Sequence, residues 1–201
     1  MLISLMRHGA TANNEARVLE GHSSTPLSKI GRRQSKLAAA YLGKRNVTAI
    51  FASTAPRAIE TAAILSTELK VPYSSTPSLN ERNYGPFDGL TRHDLLERRA
   101  ELHLSNLDPT QDWDEVTEVE SDGAVWTRVK PVIDLARESH HQGHVLLVTH
   151  NGVIKATLYR LFMLPPTRAR CFCISNGCVF TLREVGSCLE LFDLWQSPLQ
   201  Y

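Results

Sequence analysis

Residues 145–162 read VLLVTHNGVIKATLYRLF: four apolar residues and a threonine, then a histidine, an asparagine and a glycine, then a segment with helical spacing. The apolar run is near-continuous rather than alternating, which is the pattern of a strand buried on both faces. The helical segment follows almost without a loop, so this stretch reads as a strand feeding directly into a helix. The same order recurs along the chain. Leu2–Met6, Val47–Ala52, a short Val71–Tyr73 and Val145–Thr149 read as strands, followed by Val179–Arg183 with a partner at Cys188–Leu194. Between them lie helical patterns. One is opened by Ser28 as a cap and carries Ile30, Leu37, Ala38, Tyr41 and Leu42 along one side. A second starts near Pro56 and carries Ile59, Ala63, Ile64 and Leu65. A third repeats Val125, Val129, Val132, Ile133 and Ala136, with a kink expected at Pro131. Strand and helix in alternation predict an α/β fold: a three-layer α/β/α sandwich with a mostly parallel central sheet and helices on both faces.

With 201 residues, 42% of them apolar and 21% charged, the chain suits one domain spanning 1–201. Residues 82–122 fit the alternation least. They mix charges with His93, His103, Pro109 and Trp113 around one short helical pattern, and read as an excursion over the active site. A formal net charge of +1 gives no case for nucleic acid or a membrane surface, so any anion must be met locally. Cys171, Cys173, Cys178 and Cys188 lack paired C-x-x-C spacing, which favours reduced thiols in a cytoplasmic setting over zinc or a disulfide framework. The opening apolar run is too short for a signal peptide, and no stretch is long enough to span a membrane.

In such a fold ligands gather beyond the carboxyl ends of the strands. Arg7 and His8 follow the first strand, and Gly9 lets the backbone turn closely there. Ser53 follows the second and Arg57 begins the next helix. His150 follows the strand VLLVT, and Asn151 and Gly152 open a helix whose first amides favour an anion. Two arginines, two histidines and helix starts on one rim predict a compact anion site. The cluster His140, His141 and His144 closes a long helix and reads as solvated capping, not as a metal site.

The residues also carry a resemblance. RHGATANN resembles the R-H-G-x-T-x-x-N signature of the histidine phosphatase superfamily, the phosphoglycerate mutase-like proteins. GHSSTPLSKIGRRQS resembles G-x-x-D-x-P-L-T-x-x-G-x-x-Q, STAPRAIETA resembles S-x-x-x-R-A-x-x-T-A, and LNERNYGPFDG resembles L-x-E-x-x-x-G-x-x-x-G. VTHNGVIKATL completes the series, which runs from about residue 2 to 180. The resemblance implies that His8 is a nucleophile forming a phosphohistidine. Arg7, Arg57 and His150 would hold phosphoryl oxygens, Asn14 would support the pocket, and Glu81 would move a proton to and from the leaving oxygen. Gly21, Asn151 and, from the excursion, Tyr84, Phe87, Arg92, His93, Arg98 and Trp113 are candidates for substrate contact, although an amphipathic stripe with Leu95 and Leu96 packing inward explains most of the excursion residues equally well. No metal and no cofactor are implied.

Departures from the pattern are Ser24 for an aspartate, Ala10 for a glutamate, Lys155 for an arginine, and Glu20 where a small polar residue is usual. Glu20 either repels a second anionic group or points outward. ERNYG is mutase-like, yet the span from Glu81 to His150 lacks room for the mutase insertion. The expectation is therefore a metal-independent phosphatase of small phosphorylated metabolites. A mutase-type phosphoryl transfer and a non-catalytic phosphate-binding module are the alternatives, and a homodimer is left open.

Overall fold

In the computed structural model the described residues are 1–102, 116–140, 142–164 and 172–199; His103, Pro109, Trp113, His141 and Cys171 lie outside them. The strands are β1 (Leu2–Arg7), β2 (Val47–Ala52), β3 (Tyr73–Ser75), β4 (His144–Thr149), β5 (Val179–Val185) and β6 (Cys188–Trp195). They form a sheet in the order β3-β2-β4-β1-β5-β6. Pairing is parallel from β3 through β1, and antiparallel from β1 to β5 and from β5 to β6. The edge strand β3 lies two residues later than the apolar run at Val71 predicts: it is exposed along its length, so pairing with β2 and not burial decides its place.

The helices are α1 (Ala12–Glu15), α2 (Lys29–Leu42), α3 (Pro56–Leu69), α4 (Arg92–Glu101), α5 (Asp122–Ser139) and α6 (Asn151–Leu161). Alternate residues of the same strands feed two cores. Ile3, Leu5, Val145 and Leu147 join Val125, Val129, Ile133 and Ile154 from α5 and α6. Met6, Ile50, Leu146 and Val148 join Ala38, Leu42, Ala58 and Leu65 from α2 and α3. The near-continuous apolar strands thus serve one layer on each face. Among the described residues no helix is long and apolar enough to cross a membrane.

Ser28 caps α2 by accepting the Gly31 amide, and Pro56 stands in the first turn of α3, as their residue types predict. The buried face of α2 differs from the apolar count. Gly31, Gln34, Ser35, Ala38, Ala39 and Leu42 are buried, whereas Leu37 is exposed and Ile30 only half-buried. Small residues win because this helix meets backbone as well as side chains. On α3 the buried stripe is Ala58, Thr61, Ala62 and Leu65, leaving Ile59, Ala63 and Ile64 half-buried. Helix α5 keeps its predicted face and runs through Pro131. His140 ends α5, but His144 does not cap it: it is buried in β4 with Nε2 2.7 Å from Ser4 Oγ and Nδ1 3.1 Å from the Arg45 carbonyl. Cys173, Cys178 and Cys188 are free thiols.

Candidate active site

Strand register explains why the two histidines meet. Arg7 pairs with Thr149 across neighbouring parallel strands, and the His8 amide donates to the Thr149 carbonyl at 3.0 Å. The next residue of each strand is an imidazole, and the ring centroids of His8 and His150 lie 5.1 Å apart, edge to face. Ala52 pairs with Val148, so Ser53 leaves the sheet beside His150 and its amide donates to the Val148 carbonyl. Three strand ends therefore deliver Arg7–His8, Ser53 and His150 to one rim.

His8 is buried, with Nδ1 2.7 Å from the Gly9 carbonyl. A carbonyl only accepts, so Nδ1 carries the hydrogen and Nε2 bears the lone pair. Arg57 Nε donates to that Nε2 at 3.3 Å. Burial, and then the charges of Arg57 and Arg7, hold the His8 pKa well below the usual histidine value of 6.5. Arg57 is fully buried; its Nη1 donates to the Ser23 carbonyl at 2.9 Å and its Nη2 to the Gly21 carbonyl at 2.7 Å. One guanidinium thus joins the loop at residues 21–23 to the histidine. Arg7 is half-buried: Nη1 donates to the Ile174 carbonyl at 2.8 Å, while Nε is enclosed without a partner.

Glu81 is buried, and its two oxygens accept the Arg82 amide at 2.8 Å and the Gly152 amide at 3.2 Å. The second donor is in the first turn of α6, so helix and carboxyl group are locked together. A side chain at Gly152 would strike Glu81 Oε1 and the Tyr84 hydroxyl, which places both beside the start of α6. Burial, reinforced by the Glu81 charge, raises the Tyr84 pKa. Tyr84 packs with Phe87, Leu95, Val116 and Val119, a small core that anchors the segment after Glu81.

Other predicted residues have different places. Asn14 is structural: its Nδ2 donates to Glu20 at 2.9 Å and its Oδ1 accepts from Asn176 Nδ2 at 2.9 Å. Gly21 gives its amide to Asp88 and its carbonyl to Arg57. Asn151 opens α6 with its side-chain oxygen enclosed and unpartnered. Arg92, His93 and Arg98 are exposed on α4. Glu20 does not point outward. It is buried and accepts from Thr11 Oγ1 at 2.5 Å, Asn14 Nδ2 at 2.9 Å, Ser23 Oγ at 3.0 Å and Asn13 Nδ2 at 3.1 Å. Its charge also sustains that of Arg57.

Sequence reasoning missed four supports. Thr61 Oγ1 accepts the Gly9 amide, Gln34 Oε1 accepts the Ala10 amide, Asn176 Nδ2 donates to the His8 carbonyl, and Asn80 Oδ1 accepts from Ser53. Each is an ordinary polar residue on a helix or loop; the Gln of the G-x-x-Q segment and the Thr of S-x-x-x-R-A-x-x-T-A could have signalled Gln34 and Thr61, and nothing signalled Asn80 or Asn176. Among the described residues no group of three histidines, cysteines or carboxylates is placed to hold a metal.

Burial of neutral histidines has a pH consequence. His8, His150 and His144 all have pKa values lowered chiefly by burial. Below about pH 6.5 the unfolded chain takes up protons on these imidazoles while the folded chain does not yet do so. Stability is therefore expected to fall as pH drops below about 6.5. Thermal unfolding scans across that window, with proton uptake on unfolding, check this; a midpoint that holds or rises would contradict it. The same shift keeps His8 unprotonated through the neutral range, where its lone pair can attack.

The sequence model described as "Histidine phosphatase superfamily (branch 1)" matches residues 3–192. The chain is 28% identical to the adenosylcobalamin/alpha-ribazole phosphatase of Escherichia coli K12, over 89% of this chain and 87% of that one. It is 28% identical to a metal-independent phosphoserine phosphatase of Arabidopsis thaliana, over 79% and 68%. A probable phosphoglycerate mutase of Yersinia enterocolitica is 27% identical over 84% and 78%. Among solved structures, a mycobacterial glucosyl-3-phosphoglycerate phosphatase in complex with VO3 superposes with a TM-score of 0.81 at 27% identity, covering 96% of this chain and 98% of that one.

Proposed function

This chain belongs to branch 1 of the histidine phosphatase superfamily, and from that premise we propose that it is a metal-independent phosphatase of small phosphate monoesters, acting through a phosphohistidine on His8. The observation that carries the reading is a neutral imidazole with a hydrogen-free Nε2 beside the buried Arg57 and the half-buried Arg7, together with two enclosed atoms, Arg7 Nε and His150 Nδ1, that have no partner among the described residues. A phosphoryl oxygen would satisfy Arg7 Nε as a donor, and His150 Nδ1 once that nitrogen is protonated.

In this reading His8 Nε2 attacks phosphorus, the ester P–O bond breaks, and Glu81 gives the departing oxygen a proton. Arg57 Nε releases His8 and donates to a phosphoryl oxygen; Arg7 and the first amides of α6 stabilise the remaining charge, which spreads over the equatorial oxygens. Water then attacks phosphorus, Glu81 takes its proton, and the P–N bond breaks to return neutral His8. The positive charge comes from side chains and helix amides, so a chelator is expected to leave turnover unchanged. Phosphate release in excess EDTA measures this; abolished release would contradict the reading. We also propose that the span 1–201 acts as one domain and that the protein works in the cytoplasm, the latter supported by free thiols at Cys173, Cys178 and Cys188.

The leaving group fits a cavity of about 520 Å³ whose described lining includes His22, Asn80, Glu81, Glu118, Glu120 and Arg128. Its guanidinium is already committed: Arg128 Nε and Nη2 donate to Glu120, and Nη1 donates to the Ser78 carbonyl. Arg128 and Glu120 neutralise each other and Glu81 serves as the acid, so Glu118 is left in a described lining that offers no free cation to a leaving group bearing a carboxylate or a second phosphate. This favours a phosphatase of neutral or amine-bearing monoesters over phosphoglycerate mutase chemistry. A sugar or amino-alcohol monophosphate is expected to exceed 3-phosphoglycerate by about tenfold or more in kcat/KM, equivalent to about 1.4 kcal/mol. A preference for 3-phosphoglycerate, with interconversion outpacing phosphate release, would establish the mutase instead.

A further inference from the structure

The hydrogen-bond partners of Ser53 determine more than its position. Ser53 Oγ has one hydrogen and two lone pairs. It accepts the Ala55 amide at 3.1 Å, lies 2.8 Å from Asn80 Oδ1 and lies 2.7 Å from His150 Nε2. The Asn80 atom must be the oxygen, because the Thr54 backbone amide, which can only donate, is 2.8 Å from it. That oxygen also accepts from Thr54 Oγ1. Oδ1 can only accept, so the single Ser53 hydrogen goes to Asn80. Ser53 then faces His150 with a lone pair, and His150 Nε2 must carry the hydrogen. A neutral imidazole has one N–H, which leaves Nδ1 bare. Nδ1 is buried and has no partner. His8 next to it is held the other way round, with Nδ1–H on the Gly9 carbonyl and Nε2 bare.

We propose that Asn80 is a positioning residue which, through Ser53, holds His150 in its Nε2–H tautomer, so that His150 can donate to a bound phosphoryl group only by taking up a proton at Nδ1. The coupling to phosphate rests on the proposed function; the tautomer assignment rests on hydrogen-bond geometry alone. The charged and titratable groups around His150 act in opposite senses in the two states. Arg7 at the end of β1, His8 just after it, Arg57 of α3 and Arg128 of α5 all disfavour a cation at His150 before an anion binds. Glu81 accepts the amide of Gly152, two residues after His150. A phosphate dianion among those cations reverses the balance and draws the proton in. Binding of the anion and protonation of His150 become one event.

The test uses the full chain with 15N-labelled histidine, its His150 signals assigned by their loss in His150→Gln. Long-range 1H–15N correlation of the wild type at about pH 8 is expected to show Nε2–H with a bare Nδ1. In Asn80→Ala the Ser53 hydrogen is free to turn to His150, and the Nδ1–H tautomer is expected to appear; Asn80→Asp, which only accepts, keeps the wild-type tautomer. Inorganic phosphate titrated calorimetrically in buffers of different ionisation enthalpy is expected to bring about one proton into the wild type, and clearly fewer into Asn80→Ala. An Nδ1–H tautomer in the wild type, which needs no variant to fold, overturns the relay. So does an unchanged Nε2–H tautomer in folded Asn80→Ala, or a lost one in Asn80→Asp. A wild type with the expected tautomer that neither binds phosphate nor hydrolyses esters overturns the proton coupling together with the hydrolytic reading.

Discussion

His8→Ala is expected to abolish turnover, lowering kcat by about 10⁴-fold or more, because it removes the atom that receives the phosphoryl group in the proposed reaction. The expected loss is of the covalent path, not of a binding increment. Nε2 of His8 bears its lone pair because Nδ1–H is committed to the Gly9 carbonyl, and it stands 3.3 Å from a fully buried arginine. His150 also presents a bare nitrogen, its Nδ1, but that atom has no partner among the described residues, whereas Arg57 Nε is within hydrogen-bond distance of His8 Nε2. The decisive measurement is single-turnover labelling with a 32P aryl phosphate, quenched in alkali and then exposed to acid. Wild type should hold an acid-labile, base-stable label, and His8→Ala should hold none while its circular dichroism remains native. Labelling that persists in His8→Ala would place the nucleophile elsewhere. A wild type that never labels and never turns over would favour the phosphate-binding module.

The second large effect is expected at Gly31→Ala. A Cβ on Gly31 would lie 2.0 Å from the Ala10 carbonyl oxygen and 2.7 Å from the Ala10 nitrogen, and one on Gly9 would lie 2.3 Å from the Gly31 carbonyl oxygen. The first turn of α2 and the residues after His8 are packed backbone against backbone. Two hydrogen bonds hold them there: the Ser28 amide donates to the Ala10 carbonyl at 2.8 Å, and the Ala10 amide donates to Gln34 Oε1 at 2.8 Å. These contacts are main chain, so no flexible side chain can yield. The helix or the histidine loop must move. The expected cost is about 3 kcal/mol or more, at the upper end for overpacking. Displacing His8 by about 1 Å would lower kcat/KM by about 100-fold in what remains folded. Urea unfolding and steady-state kinetics measure the two effects separately. A midpoint within error of wild type would show that α2 can withdraw without strain.

The same pair of glycines shows how far the linear reading reaches. Gly31 and Gln34 both lie in the segment that resembles the family pattern, but a pattern records that they recur and not what they touch. The apolar count on α2 even pointed to another face, because it scored Ile30 and Leu37 above Gly31, Gln34 and Ser35. A helix that packs on backbone needs small residues where it touches, and hydrophobicity is blind to that requirement. Glu20 illustrates the same limit with charge. As one carboxylate in a row of letters it could repel a ligand or face solvent; four donors from Thr11, Asn13, Asn14 and Ser23 turn it into the inner brace of the loop that Arg57 also holds. Sequence position alone groups His144 with the solvated helix end at His140, whereas the strand begins at His144 itself and draws it inside.

By itself the sequence determined the alternation of buried strands and helices, and with it the rim where Arg7, His8, Ser53, Arg57 and His150 gather. These follow from local rules: apolar runs, caps and the positions just past strand ends. Only the tertiary structure decided the order β3-β2-β4-β1-β5-β6, which sets β1 against β4 and brings His8 within 5.1 Å of His150. It alone decided which nitrogen of each imidazole carries a hydrogen, since that depends on Gly9, Ser53 and Asn80 arriving from separate segments. The physical reason is that a hydrogen bond is settled by a distance of about 3 Å and a direction, and neither is a property of residues taken one at a time along the chain.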